Sequence, residues 1–241
     1  MARKEAGGKS SQQNDFLEPK PPIIDSSVDT GTGRPFNDGE VVITVSLPAG
    51  SPEATSYDVT AVPSVGSSVT ASSATSPISV TGLSSSETYT ITVTASNAAG
   101  TSASSESVST AVTTVPGTPS APSASAGVNA DTVTWVAPAT GGNAITLYTW
   151  ESNESPVKTG TTAALSAVVT NEAGTTQAYR VRAENENGVG EWSPYSGNVT
   201  TVAPFFPFFP FFPHFPPHFP PHFPPFFPHF PPHFPPHFPP H

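Results

Sequence analysis

The most regular pattern in the chain is the alternation of apolar and polar residues between Tyr89 and Ala95. The apolar side chains are those of Tyr89, Ile91, Val93 and Ala95, and threonine occupies every position between them. A period of two places these apolar residues on one face of a β-strand and the threonines on the other. β-Branched residues with a single apolar face are typical of a half-buried antiparallel strand. The strand is expected to end near Asn97 and Gly100, because both residue types tolerate the positive φ of a tight turn.

The end of this strand recurs later in the chain. Ala95–Gly100 and Ala183–Gly188 share the spacing Ala-x-Asn-x-x-Gly, 88 residues apart. A strand signature repeated at domain-sized spacing predicts two copies of one domain. Short alternating segments separated by turn residues surround both copies, which indicates two antiparallel β-sandwiches and an all-β fold. The predicted strands are 41–47, 56–61, 68–71, 78–80, 89–95 and 108–114 in the first copy, and 132–136, 145–150, 157–159, 164–169, 177–183 and 195–202 in the second.

Charge and cysteine content narrow the classes of function. The 241 residues carry a formal net charge of −10, only 11% of them are charged, and none is cysteine. A nucleic-acid-binding protein needs clustered Lys and Arg to neutralise phosphates, so we expect no nucleic-acid partner. The lack of cysteine excludes disulfides and thiolate metal sites. No run of about 20 apolar residues occurs, so no membrane span is expected, and the start Met1–Lys9 lacks the apolar core of a secretory signal.

The remaining segments predict the domain organisation. Residues 1–38 are polar, mixed in charge and interrupted by Gly and Pro, so they bury too little apolar area to order alone. An arm that orders on a partner and a disordered leader both fit this composition. Val115–Pro122 contains three prolines and predicts a stiff linker that makes the two sandwiches a semi-rigid rod. We divide the chain into a polar arm (1–21), a first sandwich (22–115), a second sandwich (116–203) and a tail (204–241).

Four features of the two copies occur together. Pro119 and Pro122 precede the second copy, Trp135 stands three residues before Pro138, and the run Gly141–Tyr148 follows. With the strand at Tyr89, this set resembles tandem fibronectin type III domains over residues 22–203. The resemblance is specific for the fold and leaves the function open, because this fold hosts many roles. Alternation and resemblance together imply cores that contain Tyr89, Ile91, Val93, Trp135, Tyr148 and Val181.

The resemblance also implies a tyrosine corner, in which Gly82-Leu83 is followed by Tyr89. Counting back from Asn185 as from Asn97 puts Gln177 where Tyr89 stands. The second sandwich is therefore expected to lack this corner. Val45 takes the place of the tryptophan that the family pattern expects in the first core.

A second resemblance concerns the segment that leads into the first sandwich. Asp29–Gly39 has the sequence Asp-Thr-Gly-Thr-Gly-Arg-Pro-Phe-Asn-Asp-Gly. It is similar to the lead-in of fibronectin-type modules that are common in structural proteins of tailed bacteriophages. This resemblance implies a virion component that is assembled in the host cytoplasm.

The last 38 residues contain only Phe, Pro and His: 14 Phe, 17 Pro and all seven His of the chain. The frequent prolines forbid a regular helix or sheet interior and leave polyproline II as the available regular conformation. With three residues per turn, the four-residue His-Phe-Pro-Pro repeat directs its phenylalanines to every side. We therefore predict that the tail associates with copies of itself or with other virion structural proteins. The phenylalanines predicted to mediate this association are Phe205, Phe206, Phe208, Phe209, Phe211, Phe212, Phe215, Phe219, Phe223, Phe226, Phe227, Phe230, Phe234 and Phe238.

The histidines of the tail support three interpretations. On polyproline II, histidines four residues apart face different sides, so a metal site would need several chains side by side. The alternatives are packing or solvation, and a pH-sensitive repulsion, because histidine becomes charged below a reference pKa of about 6.5. The residues concerned are His214, His218, His222, His229, His233, His237 and His241.

Catalytic arrangements are not expected in the sandwiches. Residues 22–203 contain neither His nor Cys, so nucleophile–histidine and thiolate chemistry cannot form within them. Glu184 and Glu186 flank Asn185 as a candidate carboxylate pair, but two solvated charges beside a turn are the much better explanation. We predict a protein that is not an enzyme and has no cofactor and no metal.

The pattern as a whole predicts a non-enzymatic structural protein, a decoration, spacer or fibre component of a virion attached through its terminal segments. Two alternatives remain open at this stage. The chain could be a bacterial surface adhesin or matrix protein with an extracellular or cell-surface location. It could also be a carbohydrate-binding accessory module in which an exposed Trp150 or Trp192 stacks on a sugar, for example a host-surface glycan.

Overall fold

A computed structural model describes residues 17–205, and every regular element in this part of the chain is a β-strand. The first sandwich contains β1 (Ile23–Asp29), β2 (Gly39–Ser46), β3 (Ser56–Pro63), β4 (Val69–Ser73), β5 (Ile78–Leu83), β6 (Thr88–Asn97), β7 (Gly100–Thr101) and β8 (Val108–Ala111). The second contains β9 (Ser123–Gly127), β10 (Ala130–Thr134), β11 (Leu147–Ser152), β12 (Thr159–Thr162), β13 (Ser166–Thr170), β14 (Thr176–Gln177), β15 (Tyr179–Asn185), β16 (Gly188–Val189) and β17 (Val199–Thr200). Among the described residues, no helix is present that could cross a membrane.

The two sandwiches share one strand order. In the first, one sheet runs β1-β2-β5 and the other runs β4-β3-β6-β7, with β8 also paired to β6. In the second, the corresponding sheets run β9-β10-β13 and β12-β11-β15-β16, and β14 pairs separately with β17. All of these strand pairs are antiparallel. The predicted all-β fold of two antiparallel sandwiches is therefore confirmed.

Each core is formed by the inward positions of alternating strands. Along β6, Tyr89, Ile91 and Val93 are buried and the intervening threonines face outward, as the period of two requires. The buried residues of the first core are Val41, Ile43, Val45, Val59, Ala61, Ile78, Val80, Leu83, Tyr89, Ile91, Val93 and Val112. Those of the second are Val133, Trp135, Tyr148, Val169, Tyr179, Val181, Ala183 and Val199. The side chain of Val45 thus lies in the first core, as that of Trp135 lies in the second.

The tyrosine corner is present in the first sandwich. The Tyr89 hydroxyl oxygen accepts a hydrogen bond from the backbone N–H of Ser84, at 2.8 Å. At the corresponding position of the second sandwich, Gln177 is fully buried and its Nε2 donates to Asp131 and, at 3.0 Å, to Thr201 Oγ1. A network of buried side chains therefore takes the place of the corner.

In each sandwich, two serines three residues apart bond the segment that follows the Asn-x-x-Gly turn to the strand that precedes this turn. Ser102 and Ser105 each donate a backbone N–H to a carbonyl of β6, both at 2.8 Å, and each Oγ accepts the N–H of that same β6 residue at 3.0 Å. Ser193 and Ser196 repeat this pattern on β15, with backbone bonds of 2.8 and 2.7 Å and side-chain bonds of 3.0 Å. One serine thereby satisfies both backbone groups of one residue in the adjoining strand. The predicted strand at 195–202 is largely replaced by this serine-bonded segment, and only β17 remains of it.

Two edge strands were not predicted from the sequence. β1 lies inside the segment 1–38 that was expected to lack order of its own, and β9 follows the predicted linker. β9 has no large apolar residue, Ile23 and Val28 of β1 are exposed, and the other residues of both strands are exposed or half-buried. Their order comes from backbone pairing with β2 and β10, which a hydrophobic pattern does not reveal.

Candidate functional site: the junction between the two sandwiches

The linker between the sandwiches is buried. Val115, Pro116 and Gly117 are each enclosed by the chain around them. The backbone N–H of Val115 donates to Arg34 O at 3.1 Å, and that of Gly117 donates to Ala139 O at 2.9 Å. The linker is thus part of a hydrogen-bonded junction. The prolines of the sequence predicted a stiff linker but did not predict these hydrogen bonds.

Two asparagines of the turn between β15 and β16 bind this linker. Asn185 is only 4% exposed, and its Nδ2 donates to Thr114 O and Thr140 O, both at 2.8 Å. Its Oδ1 accepts the backbone N–H of Asn187 at 2.9 Å. One side chain therefore joins the linker, the loop after β10 and its own turn.

Asn187 adds contacts that reach the first sandwich. Its Nδ2 donates to Thr113 Oγ1 at 2.8 Å and to Thr114 O at 3.1 Å. Its carbonyl accepts the backbone N–H of Gly33 at 2.8 Å. Glu184 and Glu186, the candidate carboxylate pair, flank Asn185 in this turn as half-buried and exposed side chains.

Glycines allow the backbones to approach closely at the junction. A methyl group on Gly31, Gly141 or Gly190 would collide with a backbone carbonyl oxygen of the segment Thr113–Pro116. Gly141 also has a φ of 71°, which L-residues with side chains rarely adopt. The backbone N–H of Thr114 donates to Gly141 O at 2.7 Å, so the close approach is used by a hydrogen bond.

The segment Asp29–Gly39 forms the first sandwich's part of the junction. Asp29 Oδ2 accepts hydrogen bonds from the backbone N–H and the hydroxyl of Thr113. Arg34 donates from Nε to Asp38 O at 2.8 Å and lies 3.4 Å from the Asp38 carboxylate. The ring of Phe36 packs against Gly117. The segment that resembles a phage lead-in is therefore the segment that contacts the second sandwich.

Residues 17–22 lie on the first sandwich as the linker lies on the second. Asn97 Nδ2 donates to Leu17 O at 2.9 Å and to Glu53 O at 3.3 Å, as Asn185 does to Thr114 and Thr140. Pro19 and Pro22 are buried, at the positions that Pro116 and Pro119 occupy in the linker. The end of the predicted polar arm thus contacts its own sandwich.

A shallow cleft of about 200 Å³ lies beside the junction. Hydroxyl groups and one carboxylate line it, contributed by Ser86, Glu87, Thr88, Thr113 and Thr140 among others. Small-molecule sites are usually larger, roughly 300–1,000 Å³, and mostly apolar. The cleft therefore does not have the character of a ligand pocket.

Asp131 is the centre of a buried polar network in the second sandwich. It is 0% exposed and accepts hydrogen bonds from Asn171 at 2.8 Å, Tyr179 at 2.9 Å, Thr201 at 3.0 Å and Gln177. Burial raises the pKa of Tyr179 to about 12. Because its carboxylate oxygens already accept four hydrogen bonds, we assign Asp131 a structural role. Within residues 17–205, no group of three or more His, Asp or Glu side chains is placed to hold a metal ion.

The tryptophans are less accessible than the sugar-stacking hypothesis requires. Trp135 is buried with its ring 5.7 Å from that of Tyr148, and Trp150 is half-buried, 6.5 Å from Tyr179. Trp192, which was expected to be exposed, is half-buried, and its ring lies 4.8 and 4.5 Å from the guanidinium carbons of Arg180 and Arg182. These two arginines are two residues apart on β15, so they lie on the same face, and both stack on the indole by cation–π contact.

The predicted association residues lie almost entirely outside the described part of the chain. Phe205 is described and is 89% exposed. The other thirteen phenylalanines of the tail and all seven histidines lie outside the described residues. Their assigned roles remain predictions.

Comparison with known proteins found one matching family model and a number of similar solved structures. The family model of the fibronectin type III domain matches residues 32–111. The FN1–FN3 domains of chicken CNTN1 are similar at 18% identity and a TM-score of 0.44, over 77% of this chain and 67% of that one. Domains A168-A170 from titin are similar at 20% identity and a TM-score of 0.40, over 77% of this chain and 68% of that one. The structure of titin kinase and its flanking domains matches at 29% identity and a TM-score of 0.34, over 36% of this chain and 17% of that one.

A search of curated proteins gave no match. The family match on the first sandwich and the shared strand order of both sandwiches confirm the predicted fold class of fibronectin type III-like sandwiches. Domains of this type are generally non-catalytic modules for protein interaction.

Proposed function

We propose that the protein is a non-enzymatic structural component of a bacteriophage virion that acts as a spacer between its two terminal segments. The observation that carries this proposal is the junction. Asn185, Asn187 and the backbone of Thr113–Gly117 join the sandwiches by hydrogen bonds, many of them buried. A spacer that keeps a fixed length needs such a connection, whereas a flexible tether does not.

The virion location is supported by the segment Asp29–Gly39. Its sequence resembles the lead-in of phage fibronectin-type modules, and its residues Gly33, Arg34 and Phe36 make contacts of the junction. The proposed partners are other virion structural proteins, or copies of the same chain, bound through the tail. A host-surface glycan is a further candidate partner of the exposed faces.

The location is tested on purified virions from the source of the sequence. Mass spectrometry should find peptides of residues 17–203 in the particle at a constant ratio to the major capsid protein. Recovery of the protein only in the cell envelope or the medium would instead support the surface adhesin. Hydrolysis of a polysaccharide or peptide that a point change in the sandwiches abolishes would overturn the non-enzymatic part.

The spacer role is tested by measuring a distance between the sandwiches. The chain has no cysteine, so Val65→Cys and Val157→Cys place two spin labels, at positions 79% and 57% exposed in the first and second sandwich. Pulsed electron spin resonance should give one narrow distance distribution. The double change Asn185→Ala and Asn187→Ala should broaden it, with Glu186→Ala as the control in the same turn. A broad distribution in the unaltered junction would refute a fixed spacer.

A further inference from the structure

The strand β13 forms an open edge of the second sandwich. It pairs with β10 and lies at the end of its sheet. The backbone N–H of Trp135 donates to Leu165 O, and in an antiparallel ladder every second residue is bonded in this way. Ala167 and Val169 therefore bond to β10, and the N–H and C=O groups of Ser166 and Val168 face away from the sheet. The backbone N–H and C=O of Thr170 also face outward, and its carbonyl oxygen accepts a hydrogen bond from Lys158 Nζ at 3.0 Å.

The corresponding edges of the molecule are protected. In the first sandwich, β4 packs beside β5, the strand that corresponds to β13. β1 carries Asp25 and Asp29 and an irregularity in its pairing between Ile24 and Ser26. Charged residues, bulges and covering segments are the usual means by which proteins prevent edge strands from pairing.

Among the described residues, a charged side chain contacts β13 only at its end, where Lys158 binds the Thr170 carbonyl. Residues 163–170 contain no charged side chain and no proline, and β12 has no contact with β13 comparable to that of β4 with β5. Val168 is 71% exposed, and Leu165 and Val136, towards the other end of this edge, are 45% and 70% exposed. Unpaired backbone groups thus adjoin exposed apolar side chains.

We propose that this edge pairs with the β13 edge of a second copy of the chain. In the antiparallel register that places Ser166 opposite Val168 of the second copy, the four outward groups of each strand form four backbone hydrogen bonds. This register leaves the contact between Lys158 and the Thr170 carbonyl intact. The two three-stranded sheets become one sheet of six strands, and on its outer face each Val168 side chain lies opposite Ser166 of the second copy and diagonal to its Val168.

The charge distribution leaves this sheet open to a second copy. The protein has a net charge of −10, so most encounters between two copies are repulsive. The outward side chains of β9, β10 and β13 are Ser, Thr and Val, and the one acid on these strands, Asp131, is fully buried. Two copies can therefore approach on this sheet without bringing like charges together. The pairing is also isologous, so it closes as a dimer.

Hydrogen exchange of the full chain tests the pairing locally. Peptides covering residues 164–170 should gain protection as protein concentration rises. Val168→Lys should weaken dimer formation at least about tenfold, because it brings two ammonium groups into the contact. Val65→Lys, the same change at a 79% exposed position of the first sandwich, should have no effect. Protection of 164–170 that is the same at all concentrations and in both variants would overturn the proposal, even if the tail associates.

Cross-linking tests the register in the cysteine-free chain. Ser166→Cys and Val168→Cys chains should form disulfide-linked dimers when mixed, because bonded cross-strand pairs have Cα atoms about 5.5 Å apart, within disulfide range. Each variant alone should form none. Far-ultraviolet circular dichroism of each variant checks that it is folded. Absence of cross-linked dimers in a mixture of folded variants would overturn the register.

Discussion

Replacing Asn185 by alanine should destabilise the second sandwich and release the linker. The side chain makes three hydrogen bonds in a site that is 4% exposed, two to carbonyls and one from the N–H of Asn187. A net hydrogen bond is worth about 0.5–1.5 kcal/mol, and a buried group left without a partner costs more. We therefore expect a loss of about 2–4 kcal/mol in the free energy of unfolding.

The chain offers a specific probe for this measurement. All three tryptophans, Trp135, Trp150 and Trp192, belong to the second sandwich. Tryptophan fluorescence during urea denaturation of the full chain therefore follows the second sandwich. Hydrogen exchange at Thr113–Gly117 should report loss of protection in the linker.

Two comparisons separate the hydrogen bonds from the loss of side-chain volume. Asn185→Asp keeps the acceptor for the N–H of Asn187 but directs a carboxylate at two carbonyls, so it should cost at least as much as alanine. Glu186→Ala, an exposed change in the same turn, should stay within about 0.5 kcal/mol of the original chain.

The first sandwich provides an internal reference. Asn97 also donates to two carbonyls, but it is only half-buried. Water can therefore bind these carbonyls in part when the side chain is removed. Asn97→Ala should therefore cost only about 1 kcal/mol. An effect of Asn185→Ala below about 0.5 kcal/mol, or one no larger than that of Asn97→Ala, would refute the role assigned to the junction.

Three further predictions concern the cores and the tail. Tyr89→Phe should cost about 1 kcal/mol by circular dichroism, because it removes the part-buried hydrogen bond between the Tyr89 hydroxyl and the N–H of Ser84; an unchanged midpoint would contradict the tyrosine corner. Burial raises the pKa of Tyr179 from 10.0 to about 12, so its contribution is complete below pH 10 and is lost as pH rises towards 12, because the unfolded chain ionises first. Tyr179→Phe should flatten the decline in stability over that range, and a slope equal to that of the original chain would count against it. Light scattering should show association of the full chain beyond a dimer at about pH 8 and weaker association at about pH 5, where the histidines are charged; a chain that ends at Ala203 should form nothing larger than a dimer, and equal masses for the two chains at pH 8 would contradict the role of the tail.

The sequence predicts the strands whose side chains are buried on one face and misses those stabilised mainly by backbone pairing. β6 and β15 were found because an apolar face recurs every second residue. β1 and β9 have no such face, and their partners are identified only by the sheet. The serines at positions 102 and 105, and at 193 and 196, do carry a signal, since both pairs have the spacing Ser-x-x-Ser shortly after an Asn-x-x-Gly turn.

The junction was not predictable for a different reason. It assembles residues near positions 33, 115, 140 and 187, which are far apart in the sequence and include several glycines. Asn185 was recognised as the end of a strand, but its donors satisfy carbonyls of the linker and of another loop. The exposure of Trp192 was misjudged because the sequence does not show that Arg180 and Arg182 lie against the same ring.

The repeated turn explains how one surface can serve both as the end of a sandwich and as an interface. In each sandwich the asparagine that closes the turn donates to a carbonyl of the incoming segment, Leu17 in the first and Thr114 in the second. This contact needs only a backbone carbonyl, so it places almost no demand on the sequence of that segment. What distinguishes the second copy is Asn187, whose place in the first turn is taken by Ala99. Because Asn187 bonds to Thr113, Thr114 and Gly33, it extends a contact with the connector into a contact with the preceding sandwich. The interface between the sandwiches is thus a small addition to a turn that binds the incoming segment in both copies.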